Sequence, residues 1–232
     1  MYTTSKKRYS PNKTAKIAGA LILAGIVFGI LSIAPSVDGT AFLTESYPDR
    51  IAVFRAAFFQ FLLVPIYIGF AITLYQMAWT YNRSIAIAFV GFRLIAGVFQ
   101  LLGVILLPIC IHLSYQYLHT TDSNLALYQN IGELLKLFRD LCNHLGVMLA
   151  TGLSNLLLHT VFIKKKSLPS KLLIWGIISN LLLLFGSFLI LFQQIKVLSI
   201  TYALLTIPIV VQEIVLAIWL LLKGFKTKAT NT

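Results

Sequence analysis

The sequence is poor in charged residues. Asp, Glu, Lys and Arg make up 11% of its 232 residues, hydrophobic residues make up 58%, and the mean hydropathy is +0.86. A soluble domain contains about 25% charged and about 45–50% apolar residues. This composition excludes an ordinary soluble domain, a disordered chain and a collagen-like chain, and it predicts an integral membrane protein.

Patterns that carry known chemistry are also missing. With only two cysteines, Cys110 and Cys142, the chain has no disulfide framework. The sequence contains no G-x-S-x-G, no H-E-x-x-H and no glycine-rich phosphate loop, which are the patterns of hydrolases, zinc proteases and nucleotide-binding proteins. The sequence therefore predicts no catalytic residue, no metal site and no cofactor.

Acidic residues are few, with seven against 19 Lys and Arg, so the net charge is +12. In a soluble protein this excess would indicate nucleic-acid binding. Here the basic residues form short runs beside apolar stretches, such as residues 6–8 and 164–166. Such runs are typical of membrane-protein loops that face anionic lipid. The expected partner is the lipid bilayer, and nucleic acid is not expected.

Six apolar stretches follow one another along the chain. Each is long enough to cross a hydrocarbon core of about 30 Å at about 1.5 Å per residue, and only a helix satisfies its backbone groups in lipid. The sequence predicts an all-α, six-helix membrane bundle that occupies 1–232 as one domain, with an amphipathic outer helix at about 123–139. The predicted spans are 17–34, 56–79, 85–111, 141–163, 172–192 and 200–222.

The distribution of Lys and Arg predicts the orientation of this bundle. The side that holds both termini carries 13 of these residues and the opposite side carries 5. Because positive loops stay in the cytoplasm, we expect both termini to be cytoplasmic and the protein to lie in the cell membrane.

Two charges fall deep inside predicted spans. Arg93 lies nine residues beyond Ser84, about 14 Å along the helix, and Glu213 lies ten residues before Lys223, about 15 Å along its helix. The two spans run in opposite directions, so both charges reach a similar depth. Isolated charges are costly in lipid, and Arg and Glu form bidentate pairs. We therefore predict that Arg93 and Glu213 contact each other, directly or through a bridging group.

Three amides complete this predicted polar layer. Asn155 and Asn180 lie at the same depth as the two charges, and Gln76 lies somewhat shallower. One interpretation is structural: the layer fixes helix register without any ligand. The other is that it forms the floor of a cavity for a ligand or an ion, since charge inside a membrane usually marks a site.

A second polar group is predicted near the outer face. Arg139 and Asp140 precede the fourth span, and His144 follows them. The first two are interpreted as an interfacial helix cap. A disulfide between Cys110 and Cys142, at a similar depth, remains an alternative to free thiols.

Several apolar-rich motifs spread over nearly the whole chain are similar to those of one family. They are Asn12-Lys13-Thr14-Ala15-Lys16-Ile17-Ala18-Gly19, Gly69-Phe70-Ala71-Ile72-Thr73-Leu74-Tyr75, Val90-Gly91-Phe92-Arg93-Leu94-Ile95, Phe138-Arg139-Asp140, Leu168-Pro169-Ser170-Lys171 with Trp175-Gly176, and Pro208-Ile209-Val210-Val211-Gln212-Glu213 with Trp219. With these motifs the chain resembles the domain of unknown function 4386 family of bacterial membrane proteins. The resemblance implies an architecture but no established activity, and Arg93, Arg139, Asp140 and Glu213 look similar to polar positions of that family.

Three classes of function remain open at this point. The favoured one is a non-enzymatic membrane protein whose polar layer lines a pocket for a small molecule or lipid, in particular a small amphiphile. The alternatives are an intramembrane enzyme that uses Arg93 and Glu213, and a structural or regulatory subunit of another membrane protein. A wet cavity that reaches Glu213 would favour the first class, and a dry paired core would favour the last.

Overall fold

The computed structural model describes residues 10–121 and 124–226, and within them the chain is helical, without strands. The helices are α1 (Pro11–Leu31), α2 (Pro35–Asp38), α3 (Phe42–Glu45), α4 (Arg50–Trp79), α5 (Arg83–Leu118), α6 (Leu125–Asp140), a π-helical segment (Leu141–Val147), α7 (Met148–Lys165), α8 (Ser170–Leu191) and α9 (Ile200–Leu222). Six helical stretches are long and apolar enough to cross a membrane: α1, α4, α5, the continuous Leu125–Lys165 stretch, α8 and α9. The predicted all-helical, six-span fold class is confirmed.

Several helices extend beyond the apolar stretches from which the spans were predicted. α1 already begins at Pro11 and α5 continues to Leu118, because polar residues continue a helix once it is nucleated. The starts have local causes. The Asn82 side chain accepts a hydrogen bond from Ile85 N at 3.1 Å, and Ser199 Oγ accepts one from Tyr202 N at 3.2 Å, so both residues act as N-caps.

The six spans form a closed ring in which each helix contacts its two neighbours. The order around the ring is α1, α4, α5, α7, α8 and α9, and α9 returns to α1. Asn12 of α1 and Gly224, which follows α9, lie side by side at one end of the ring. At the same end Lys226 N donates to Ser167 O at 2.9 Å and Lys165 Nζ donates to Thr80 Oγ1 at 2.7 Å. We call this end the terminal face and the opposite end the loop face. The basic residues 6–8 and Lys228, which contribute to the orientation prediction, lie outside the described residues.

The half of the ring nearest the terminal face is tightly packed. A cluster of buried side chains fills it, including Leu74, Phe89 and Phe162. Gly19 allows α1 to touch α9 here, because a Cβ at this position would lie 2.8 Å from the carbonyl oxygen of Ala217. This close approach agrees with the role that small residues have in membrane helix packing.

Short helices and α6 cover the loop face. Ser114 of α5 binds two segments of the long first loop: its Oγ donates to Leu43 O at 2.7 Å and accepts from Tyr47 N at 3.0 Å. α6 packs closely against α3, since a Cβ at Gly132 would lie 2.7 Å from the Phe42 ring. The stretch predicted to be amphipathic thus packs on the loop face through α3 and α5.

Candidate functional site

The ring of helices contains a cavity of about 370 Å³. Its walls are mostly apolar and come from α1, α4, α7 and α9, with Arg93 of α5 also in the lining. Arg93, Asn155 and Glu213 are in the lining, come from three different helices and are joined by hydrogen bonds. The cavity therefore combines mostly apolar walls with this three-residue cluster, which we call the polar wall.

Arg93 is held firmly on the cavity wall. Its side chain is buried, at 7% exposure. Its Nε donates a hydrogen bond to Ser154 Oγ at 3.1 Å, and its Nη2 donates to Asn155 Oδ1. The guanidinium carbon lies 4.6 Å from the centre of the Phe70 ring, which adds a cation–π contact.

Asn155 connects the two charges. Its Nδ2 donates a hydrogen bond to Glu213 Oε1 at 3.3 Å, while its Oδ1 accepts from Arg93. No direct ion pair within 4.0 Å joins Arg93 to Glu213, whose side chains both belong to the described part of the chain. The two charges therefore do not form a direct ion pair, but the amide of Asn155 bridges them. Depth matching found the right three residues but could not show that an amide, which carries both a donor and an acceptor, fits between the charges.

Each charge retains bonding capacity toward the cavity. Arg93 Nη1 and Glu213 Oε2 take part in none of the hydrogen bonds that fix this cluster. Neither atom is among the described side-chain atoms that are enclosed by protein without a hydrogen-bond partner, and both residues line the cavity. The polar wall thus offers one cationic donor and one anionic acceptor to a molecule inside.

Two residues predicted for the same layer do not join this cluster. Gln76 is exposed on α4 and is not part of the cavity wall, because depth alone does not fix which face of a helix a residue occupies. Asn180 is fully buried, but its Nδ2 donates to Gly176 O of its own helix at 2.7 Å. The predicted five-residue layer is therefore reduced to Arg93, Asn155 and Glu213.

A further polar group lies where α7, α8 and α9 meet near the terminal face. His159 Nδ1 lies 2.8 Å from Asn155 O, and Gln212 Nε2 donates to Leu172 O at 3.5 Å. Both side chains pack against Gly176, where any Cβ would collide with them. His159 Nε2 and Gln212 Oε1 are enclosed and lack a partner among the described residues.

The candidates near the loop face separate into different environments. Arg139 is buried in the last turn of α6 and forms an ion pair with Asp38 of α2, so it ties the first loop to α6. Asp140 is only partly buried. His144 Nδ1 lies 3.3 Å from the Tyr202 hydroxyl. Neither Asp140 nor His144 lines the central cavity.

The thiols are free, and no metal-binding cluster is visible. Cys110 and Cys142 are both buried and unbonded, so the alternative of a disulfide is not realised. Among residues 10–121 and 124–226, no three His, Cys, Asp or Glu side chains come close enough together to hold a metal ion.

Sequence reasoning missed three residues of the site. Ser154 accepts from Arg93, Phe70 lies beneath the guanidinium, and Tyr67 of α4 lines the cavity and donates to Gln100 at 3.5 Å. Ser154 precedes Asn155, so its depth was a usable signal. Nothing in the apolar pattern of α4 distinguishes the faces that carry Phe70 and Tyr67.

Comparison with known proteins gives one match. The family model described as domain of unknown function (DUF4386) matches residues 17–224. This match covers most of the chain, so the chain belongs to that family. No curated protein and no solved structure matches it.

Proposed function

We propose that this multi-pass membrane protein of the DUF4386 family binds a small amphiphile in its central cavity and does so without catalysing a reaction. The observation that carries the proposal is the cavity of about 370 Å³, which has apolar walls and a single polar wall. Ligand sites are typically concave, largely apolar and furnished with a few oriented polar groups. The polar group of the amphiphile lies against Arg93, Asn155 and Glu213, and its apolar part fills the remaining space.

The side of the cavity between α1 and α9 provides a path for the apolar part. The two helices touch at Gly19 near the terminal face. Beyond that contact, toward the loop face, Gly25, Gly29 and Ile30 of α1 and Val210 of α9 line the cavity. Ile30 is 63% exposed and Val210 is 44% exposed, which indicates that this side is open. An amphiphile in the surrounding lipid can reach the cavity here.

Arg93 and Glu213 each have an atom without a hydrogen-bond partner, and this supports ligand binding over a purely structural role. A pair that only fixes helix register is most stable when its two charges satisfy each other. Here Asn155 separates the charges, and Arg93 Nη1 and Glu213 Oε2 remain available at the cavity wall. A cavity shared by Glu213 and a second acid or a histidine would favour catalysis. No second acid is among the described lining residues, and His159 does line the cavity. Its Nδ1 lies against Asn155 O and its Nε2 is enclosed by protein, so neither ring nitrogen is available to a molecule in the cavity.

Two glycines allow a matched test of this proposal. A Cβ at Gly29 or at Gly91 would meet no atom within 4 Å, but only Gly29 lines the cavity. We expect Gly29→Phe to fill the cavity and to abolish binding of lauroyl lysophosphatidylethanolamine, followed by native mass spectrometry of the full chain in maltoside micelles. Gly91→Phe should bind like the wild type. Absence of binding to the wild type, or equal binding by both variants, would overturn the proposal.

We also propose that both termini are cytoplasmic and that the protein lies in the cell membrane of a bacterium. The unequal distribution of Lys and Arg between the two faces supports this orientation. Reporter fusions at Lys165 and at Lys228 should both report a cytoplasmic position, and a fusion near Asp122 an external one. An external signal at Lys165 would contradict the orientation.

A further inference from the structure

We infer that the polar group of the bound amphiphile is zwitterionic, with an anionic acceptor that faces Arg93 and a cationic donor that faces Glu213. This inference rests on the proposed function and specifies its ligand. The two groups that remain available are of opposite sign: Nη1 of Arg93 is a donor and Oε2 of Glu213 is an acceptor. A ligand that satisfies both must carry both complementary groups.

The charge balance of the cavity supports a ligand of zero net charge. Among the described lining residues, Arg93 and Glu213 are the only Arg, Lys, Asp and Glu side chains, so the empty wall is neutral overall. A ligand with a single charge would leave one unit of charge uncompensated inside the bundle. Such a charge is costly in a medium of low dielectric, whereas a zwitterion brings one partner to each side chain and adds no net charge.

Asn155 keeps the two charges available for this role. Both ends of its amide are engaged, one by Arg93 and one by Glu213, so the amide fixes their separation. If Arg93 and Glu213 closed into a direct bidentate pair, neither would have full bonding capacity for a ligand. An ammonium and a phosphate joined by a short linker, as in a phosphoethanolamine group, can bind Glu213 and Arg93 respectively while Asn155 keeps the two side chains apart.

Three probes with twelve-carbon chains test the inference: lauroyl lysophosphatidylethanolamine is zwitterionic, lauroyl lysophosphatidic acid is anionic and dodecylamine is cationic. Each is titrated into the full chain in maltoside micelles, and the bound fraction is measured by native mass spectrometry. We expect the wild type to bind the zwitterion about tenfold more tightly than either the anionic or the cationic probe, the ratio that one hydrogen bond to a charged group produces.

Removing one charge should change this preference in a defined direction. Glu213→Gln leaves Arg93 alone on the wall, so the variant should prefer the anionic probe. Arg93→Gln leaves Glu213 alone and should prefer the cationic probe. Arg83 and Glu133 are exposed and do not line the cavity, so Arg83→Gln and Glu133→Gln serve as matched controls and should keep the preference for the zwitterion.

The outcomes separate this inference from the proposed function. Equal affinity of the wild type for all three probes, together with loss of binding in Gly29→Phe, would overturn the inference of a zwitterionic ligand and leave the proposal of amphiphile binding intact. Preference of the wild type for the anionic or the cationic probe would also overturn it. Failure of the wild type to bind any of the probes would overturn both proposals. The measurements on the wild type decide the inference even if one of the charge variants does not fold.

Discussion

Two buried arginines of this protein meet their carboxylates in different ways. Arg139 is 5% exposed and Arg93 is 7% exposed, so both are withdrawn from solvent to a similar degree. Arg139 forms a direct ion pair with Asp38 near the loop face. Arg93 reaches Glu213 only through the amide of Asn155, at the wall of the central cavity.

The difference separates a structural contact from a candidate binding site. At the loop face, Asp38 O also accepts from Lys136 Nζ at 2.7 Å, so two basic side chains of α6 hold α2 in place. This contact joins two chain segments and lies outside the central cavity. At the cavity, the intervening amide leaves Arg93 Nη1 and Glu213 Oε2 free at the lining, whereas the unpaired Nε of Arg139 is enclosed by protein. Burial of an arginine alone does not distinguish the two roles; the arrangement of its partners does.

The largest effect is expected at the loop face, where Asp38→Ala removes the carboxylate partner of buried Arg139. Loss of one partner of a buried pair typically costs about 3–5 kcal/mol, mostly through the charge that remains, and the lower end, about 3 kcal/mol, applies here because the Asp38 side chain is 27% exposed. We expect a decrease of about that size in the free energy of unfolding, measured by denaturant titration in micelles. Asp49 is exposed in the same loop, so Asp49→Ala should change the free energy of unfolding little. A similar decrease in both variants would show that Arg139 does not depend on Asp38.

A smaller effect is expected at the cavity for Asn155→Ala without ligand. The substitution leaves a donor of Arg93 and an acceptor of Glu213 unpaired, and each unsatisfied buried group costs about 1–3 kcal/mol. Because the cavity gives these groups some access to water, we expect a loss of about 2 kcal/mol in the same titration. Asn124 is exposed and makes no side-chain cap contact, so Asn124→Ala is the control. An unchanged stability in Asn155→Ala would mean that Arg93 and Glu213 close into a direct pair once the amide is gone.

Composition and depth predicted the architecture and part of the site. The length of the apolar stretches was sufficient for six spans, because lipid requires helices of a minimum length. Depth along the helices brought Arg93, Asn155 and Glu213 to one level. The sequence did not predict which face of each helix points into the bundle, since apolar residues surround every span when lipid is the solvent. Gln76 was therefore assigned to the polar layer, although its side chain is exposed. The pairing of Asp38 with Arg139 spans about a hundred residues of sequence, and no local pattern encodes it.

The smallest expected effect compares Arg93→Lys with Arg139→Lys. Lysine keeps the charge but replaces the planar fork of donors with a single ammonium. Arg93 uses two different nitrogens for two partners, Ser154 and Asn155, and one ammonium cannot replace both in the same directions. Arg139 uses Nη1 for its one carboxylate, a contact that an ammonium can make.

Arg93→Lys should therefore destabilise the protein by about 1 kcal/mol more than Arg139→Lys, the net contribution of one hydrogen bond. The free energies of unfolding of the two variants, measured side by side without added ligand, give this difference directly. Equal losses would mean that charge alone matters at both positions, and that the fork of Arg93 has no special role at the cavity wall. A larger loss at Arg139 would reverse the comparison and place the more demanding geometry at the loop face.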